Sequence, residues 1–151
     1  MLRLIRTNSD NLDFQSLVRL LDAYLRIRDG EEHAFYAQFN KIDTIKYAIV
    51  AYIDNEAVGC GAIKMYQPDT MEVKRMFVAE NKRGLGIASS ILTALEIWAL
   101  ELGFSKCVLE TGKKQPEAIS LYKKCGYTII SNYGQYEGVE NSVCFEKLLT
   151  Q

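Results

Sequence analysis

The residues best suited to chemistry run from Met76 to Ser89: Met76-Phe77-Val78-Ala79-Glu80-Asn81-Lys82-Arg83-Gly84-Leu85-Gly86-Ile87-Ala88-Ser89. Met76–Val78 reads as the end of a strand. The loop behind it carries two glycines in close succession, which let the backbone turn tightly and present its N–H groups. A helix follows at once, adding unsatisfied first-turn N–H groups and the positive end of its dipole. Together these build a pocket for an anionic phosphate group. Lys82 and Arg83 stand where they can add charge-assisted hydrogen bonds. Two other phosphate loops do not fit. A P-loop needs Gly-Lys-Ser/Thr at the helix start, and here Gly86-Ile87-Ala88 stands in that place. A dinucleotide fingerprint needs a third Gly where Ser89 stands, and an antiparallel hairpin precedes the loop instead of a βαβ run.

Metal and thiol chemistry find little footing. Cys60, Cys107, Cys125 and Cys144 are widely spaced, with no close ligand pair, so no metal is expected. Each sits in an apolar or strand-like stretch, which points to buried reduced thiols. A catalytic cysteine needs a base, and His33 is the sole histidine. It falls in the polar helix start Glu31-Glu32-His33-Ala34-Phe35, a place for an exposed or half-buried side chain, though contact with a substrate there stays open.

The motif Arg83-x-x-Gly86-x-Ala88 after a strand resembles the signature of the GNAT family of N-acetyltransferases, Arg/Gln-x-x-Gly-x-Gly/Ala. A second block carries the likeness further. Leu109-Glu110-Thr111 followed by Gln115-Pro116-Glu117-Ala118-Ile119-Ser120-Leu121-Tyr122-Lys123-Lys124-Cys125-Gly126-Tyr127 is similar to the family's strand and Asn-x-x-Ala-x-x-Leu-Tyr-x-x-x-Gly-Phe. Gln115 replaces the Asn, and Tyr127 replaces the Phe. The resemblance is good over about residues 46–130 and extends elsewhere only in the order of elements.

The resemblance implies acetyl-coenzyme A as co-substrate. The amides of Arg83, Gly84, Leu85, Gly86, Ile87, Ala88 and Ser89 would hold its pyrophosphate. The backbone of Met76, Phe77 and Val78, on a strand splayed from its neighbour, would pair with the pantetheine arm. Gln115 would reach a pantetheine amide, and Lys124, among Lys113, Lys114 and Lys123, would contact a phosphate or simply solvate the helix face. Tyr122 would be the acid at the thioester sulfur, protonated at neutral pH because a phenol titrates near ~10. A backbone N–H of Phe77 or Val78 would polarise the carbonyl. The attacking amine must lose a proton. Glu72, six residues before Val78 at the place where the histone-acetylating branch carries its base, is the first candidate; Glu110 is the second. Strand alternation puts Glu72 on one face with Lys74, Met76 and Val78. The plainer alternative is that Glu72 pairs with Lys74 or Arg75 and only solvates the sheet.

These residues need elements to hold them. Residues 2–6 alternate like a strand. Ser9-Asp10-Asn11 can cap a helix whose apolar face is Phe14, Leu17, Val18, Leu21, Tyr24 and Leu25. Asp29-Gly30 breaks it, and a short helix follows to about Phe39. Lys46–Ile53 and Ala57–Tyr66 flank Asp54-Asn55 as a hairpin, and Gln67-Pro68-Asp69 turns into Met71–Val78. Ile87, Ile91, Leu92, Leu95, Trp98, Ala99 and Leu102 line one face of a long helix that Gly103 ends. Cys107-Val108-Leu109 opens a strand, Pro116 starts a helix running to Gly126, and strands near Tyr127–Asn132 and Ser142–Leu148 follow. The order predicts an α/β fold of the α+β kind. It has one mixed, mainly antiparallel sheet of about seven strands flanked by helices, a single domain over residues 1–151. Tyr24, Phe35, Tyr36, Phe39 and Tyr66 are expected to pack, while Tyr133 and Tyr136 in the late loop have polar tips that suit an acceptor pocket.

Composition narrows the partners. The chain has 151 residues, 48% hydrophobic and 25% charged, with 18 Lys+Arg against 19 Asp+Glu. A formal charge of −1 disfavours a nucleic-acid or membrane coat. No run of residues is apolar enough to span a bilayer, and the N-terminus lacks the apolar core of a secretory signal. The expectation is a cytoplasmic N-acetyltransferase, monomer or homodimer, acting on a small-molecule or peptide amine. Acid around Asp29–Glu32 is a solvated helix entry or an attraction for a cationic amine. A catalytically idle coenzyme A sensor is the alternative.

Overall fold

Period-two patterning in the first half and three- and four-residue spacing in the second set the elements. The computed structural model describes residues 1–29 and 45–150. The chain runs β1 (Leu2–Thr7), α1 (Leu12–Asp29), β2 (Tyr47–Ile53), β3 (Glu56–Gln67), β4 (Thr70–Val78), α2 (Ile87–Glu101), β5 (Lys106–Gly112), α3 (Pro116–Lys124), β6 (Thr128–Ile130) and β7 (Ser142–Leu148). The expected short helix to Phe39, with Glu31, Glu32, His33, Phe35 and Tyr36, lies outside the described residues.

Local chemistry explains the ends of these elements. Asn11 caps α1, its Oδ1 accepting the Phe14 N–H at 2.8 Å. Asp54 and Asn55 both take positive φ (51° and 69°), the type I′ geometry that matches the twist of the β2–β3 hairpin. Pro116 occupies the first turn of α3, where its missing N–H costs nothing.

The seven strands form one sheet in the order β1-β2-β3-β4-β5-β7-β6. Every neighbouring pair is antiparallel except β4–β5, which α2 joins as a crossover. One core lies between the sheet and α2, where Ile87, Ile91, Leu92 and Leu95 meet Ile49, Ile63, Met71 and Val73, with Tyr122 of α3 joining it. A second core lies under α1, where Phe14, Leu17 and Val18 meet Ala48, Val50, Cys60 and Ala62. Gly61 lets α2 approach: a Cβ there would stand 2.6 Å from Met76 Sδ and 2.9 Å from both Ile91 and Leu95.

Alternation along β4 fails at one residue. The register moves from Cys60↔Phe77 to Ala62↔Lys74, so β4 holds one extra residue. Arg75 sits there at φ 62°, as in a bulge, and the Cys60 thiol meets its carbonyl at 3.3 Å. Met71 and Val73 face α2 before the bulge, and Met76 and Val78 face it afterwards. The expectation that Glu72 and Lys74 share a face with Met76 and Val78 is therefore corrected. They lie on the opposite face, because the extra residue reverses the pleat.

Candidate active site

The parallel pairing of β4 with β5 lasts for three residues, Thr70↔Lys106, Met71↔Cys107 and Glu72↔Val108. Beyond Glu72 the two strands diverge. β5 continues on its other side with β7 as far as Gly112↔Ser142, while β4 continues with β3 as far as Gly59↔Val78. The edge of β4 that faces β5 is thus without a strand from Val73 onward. A cavity of about 120 Å³ fills the divergence. Its lining includes Glu72, Lys74, Arg75 and Met76 from β4, Glu110 from β5, and Gln115 and Tyr122 from α3. Leu21 and Leu25 of α1 and Tyr136 of the late loop complete it.

The loop behind β4 has the geometry its glycines require. Gly84 and Gly86 take φ 82° and 79°, and Gly86 begins α2 with no side chain capping the first turn. Ser89 and Ser90 hydroxyls both donate to the Gly86 carbonyl, at 3.1 and 2.9 Å, so they leave the first-turn N–H groups alone. A Cβ on Gly86 would meet nothing nearer than Ser89 Oγ at 3.9 Å. The space in front of the helix start is open, as an anion site requires. Arg83 is partly spent: its Nε donates to the Val78 carbonyl at 3.0 Å, and its guanidinium lies over Tyr24 at 4.9 Å and Phe77 at 5.7 Å. Tyr24 in turn donates to Glu117 Oε1 at 2.6 Å, linking α1 across to the start of α3. Gln115 is the N-cap residue of α3 with no capping bond from its side chain. Lys113, Lys114, Lys123 and Lys124 are all exposed; Lys123 and Lys124 stand in the last turn of α3, where cations oppose the negative end of the dipole.

Tyr122 is buried and its ring packs edge-on or tilted against Tyr127 and Phe145. Burial, reinforced by the charge of Glu110, pushes its phenol well above the usual range. Glu72 is engaged at both oxygens: Tyr133 donates to Oε2 at 2.6 Å, and Lys74 Nζ stands 3.7 Å from Oε1. Glu110 Oε2 accepts from Ser142 at 2.7 Å. Burial lowers the Lys74 ammonium, with Glu72 opposing the shift. Tyr66, Tyr133 and Tyr136 stack edge-on in sequence, at 5.0 and 5.7 Å between centroids.

So Tyr122, Glu72, Glu110, Met76 and Gln115 meet at one cavity, while Gly84, Gly86 and Arg83 sit at the adjoining loop. Lys74 and Arg75, which the motifs do not point to as site residues, also line the cavity. Two adjacent cations in a strand that also holds Glu72 are the signal the sequence offers for them. Three of the four cysteines are as expected: Cys60, Cys107 and Cys144 are buried free thiols, whereas Cys125, at the end of α3, is half-buried; burial pushes Cys60 and Cys107 up to about 12. Among the described residues no group of His, Cys, Asp and Glu could hold a metal ion, and no helix is long and apolar enough to cross a membrane.

Known proteins resemble this chain in sequence and fold. A family model described as the acetyltransferase (GNAT) family matches residues 14–127. An IAA acetyltransferase of Azospirillum brasilense is 39% identical over 105 residues, 67% of each chain. A streptothricin acetyltransferase of Escherichia coli is 33% identical over 79 residues, covering 52% of this chain and 45% of that one, so the match spans less than half of that relative. The crystal structure of a putative acyl-CoA N-acyltransferase from Klebsiella pneumoniae superposes with a TM-score of 0.83 at 29% identity, over 99% of both chains. A GNAT acetyltransferase from Elizabethkingia anophelis, solved with acetyl-CoA bound, shares the fold with a TM-score of 0.71 at 19% identity over 98% of both chains. With strands diverging beside an uncapped helix start, and the family model spanning both, the chain belongs to the acetyltransferase (GNAT) family and is an acyltransferase.

Proposed function

We propose that the protein transfers the acetyl group of acetyl-coenzyme A to the primary amine of a small molecule, by direct attack within a ternary complex. The observation that carries this reading is the divergence of β4 from β5 at Glu72, with Tyr122 and two carboxylates on the cavity it opens. The family membership and the fold-mate solved with acetyl-CoA support the co-substrate.

The chain's own groups fit that co-substrate. The bare edge of β4 offers backbone N–H and C=O groups to an amide-bearing arm, as another strand would. The first-turn N–H groups of α2 and the open space before Gly86 suit a pyrophosphate, with Lys82 and Arg83 beside it. Gln115, uncommitted at its cap position, can reach an amide of the same arm. Bound acetyl-coenzyme A supplies a thioester carbonyl open to attack and a thiolate that must leave.

Tyr122 is the proton donor to that sulfur. No protein partner holds its hydroxyl among the described residues, and its raised pKa keeps the proton in place at neutral pH. A phenol is a weaker acid than a thiol in water, so donation is effective only because burial raises the sulfur's proton affinity as well. Glu110 is the carboxylate whose charge acts on Tyr122, which favours it as the group receiving the amine proton through water. Glu72, fixed by Tyr133 and Lys74, orients the acceptor side.

The test is calorimetric titration with acetyl-coenzyme A, then release of free thiol over a panel of amines and peptides. Saturable binding with transfer to small amines is expected. Absence of binding at millimolar ligand removes the reading. Binding without transfer to any amine assigns the chain to a coenzyme A sensor instead.

A further inference from the structure

We infer that the acceptor carries a carboxylate close to the amine that is acetylated, and that Arg75 holds this carboxylate. The inference rests on the N-acetyltransferase reading above and names its substrate class. Arg75 lines the cavity, and its side chain is 3% exposed. Nη1 donates to Asp22 Oδ1 of α1 at 3.0 Å. The Nε group is buried and has no partner among the described residues. A guanidinium carries five N–H donors in a planar fork, and the Nε–Nη2 edge matches the two oxygens of a carboxylate.

As a purely structural pair this arrangement is poor. Asp22 is itself 44% exposed, so the charge sunk into the protein is chiefly that of Arg75. A buried cation with an orphaned donor costs stability that an apolar side chain of similar size would not. Arg75 also occupies the left-handed backbone region at the bulge, a conformation that is strained for a non-glycine residue. The bulge is what turns Arg75 away from the pleat and onto the cavity.

The charges around the cavity agree. Among the described residues its lining holds two carboxylates, Glu72 and Glu110, and two cations, Lys74 and Arg75. A plain alkylamine, arriving as a cation, would meet both signs and leave the Arg75 fork unused. An aminocarboxylate brings one charge of each sign. Its carboxylate meets the Arg75 edge, while its amine, once deprotonated, stays on the side of Glu110 and Tyr122. A polyamine, with no anion, has nothing for the cations.

The experiment compares α-, β- and ω-aminocarboxylates with the same amines lacking the carboxylate, by thiol release under saturating acetyl-coenzyme A. For the best aminocarboxylate, kcat/KM should exceed that of its decarboxylated counterpart by about 10- to 100-fold, the worth of one charge-assisted bidentate contact. In Arg75→Gln that ratio should fall below about threefold. Equal rates for acids and plain amines in the unaltered protein overturn the inference while leaving the acetyltransferase reading intact. An undiminished ratio in Arg75→Gln overturns it too. Should Arg75→Gln fail to fold, inhibition of the unaltered protein decides: the deaminated carboxylate should compete with the aminocarboxylate and not with acetyl-coenzyme A. Lack of such competition refutes the assignment. Transfer to no amine at all refutes the proposed function, and this inference falls with it.

Discussion

Replacing Tyr122 by Phe removes one oxygen and leaves the ring, so its effect on folding can be separated from its effect on chemistry. The ring contacts with Tyr127 and Phe145 survive. The hydroxyl holds no protein partner among the described residues, so no native hydrogen bond is lost and stability should change by less than about 0.5 kcal/mol. Tyr127 makes the internal control. It too is buried, but its hydroxyl donates to Glu96 Oε2 at 2.9 Å, and Glu96 keeps a second partner in Lys147 Nζ at 2.9 Å. Losing a hydrogen bond to a buried carboxylate costs about 1.5–3 kcal/mol, or roughly 3–12 °C in Tm for a chain of this size. Tyr127→Phe should therefore lower Tm and leave turnover nearly intact. Tyr122→Phe should leave Tm and acetyl-coenzyme A affinity unchanged and lower kcat by about 10²–10⁴-fold, the usual worth of a positioned acid. Scanning calorimetry paired with thiol release reads both. Full turnover in Tyr122→Phe removes Tyr122 as the acid. A Tm loss in it equal to that of Tyr127→Phe shows that its hydroxyl serves the fold instead.

Two further outcomes follow from backbone geometry and buried thiols. Gly86→Ala meets no steric obstacle, since the nearest atom is 3.9 Å away, but forces a methyl group into φ 79°. Stability should drop by about 1 kcal/mol, while the methyl group in front of the helix start weakens acetyl-coenzyme A binding at least tenfold by calorimetry; unchanged affinity refutes the placement of the phosphate site. Cys60 and Cys107 are held at about 12 against 9.0 for an unfolded thiol. Above pH 9 the unfolded chain releases protons that the native chain keeps, so stability falls with rising pH, by about 1.4 kcal/mol per unit per thiol until the native values are reached. Tm measured between pH 9 and 10 should slope downward, and a Cys60→Ala, Cys107→Ala double variant should make the slope shallower, Cys144 at about 11 keeping a share of it; an unaltered slope refutes the assignment to these thiols.

Most of the elements are legible in the patterning of the sequence. The α2 face recurs at three and four residues because one stripe meets the sheet, and Asp54-Asn55 announces its hairpin because few residues accept positive φ twice. The loop glycines carry their own signal as well. Glu72 shows where such reading ends. Its place six residues before Val78 was visible, yet the face it occupies depends on one inserted residue. Nothing local forces that insertion, since Arg75 at φ 62° is locally disfavoured. It is stabilised by the Asp22 contact from another element and by the Cys60 thiol across the ladder.

Local sequence alone set the order of strands and helices, the glycine turn ahead of a helix at Gly84–Gly86, and the wide spacing of the cysteines. These follow from the choices of single residues and from periodicities within one element. Tertiary structure decided which charges share a cavity. Glu72 and Arg75 come from β4, Glu110 from β5 and Tyr122 from α3, and Asp22 of α1 holds Arg75 from outside the cavity. Their meeting depends on where β4 and β5 part and on a reversed pleat. The physical reason is that register and strand divergence are fixed by the packing of α1 and α2 on opposite faces of one sheet, a property of the assembled layers rather than of any stretch of chain.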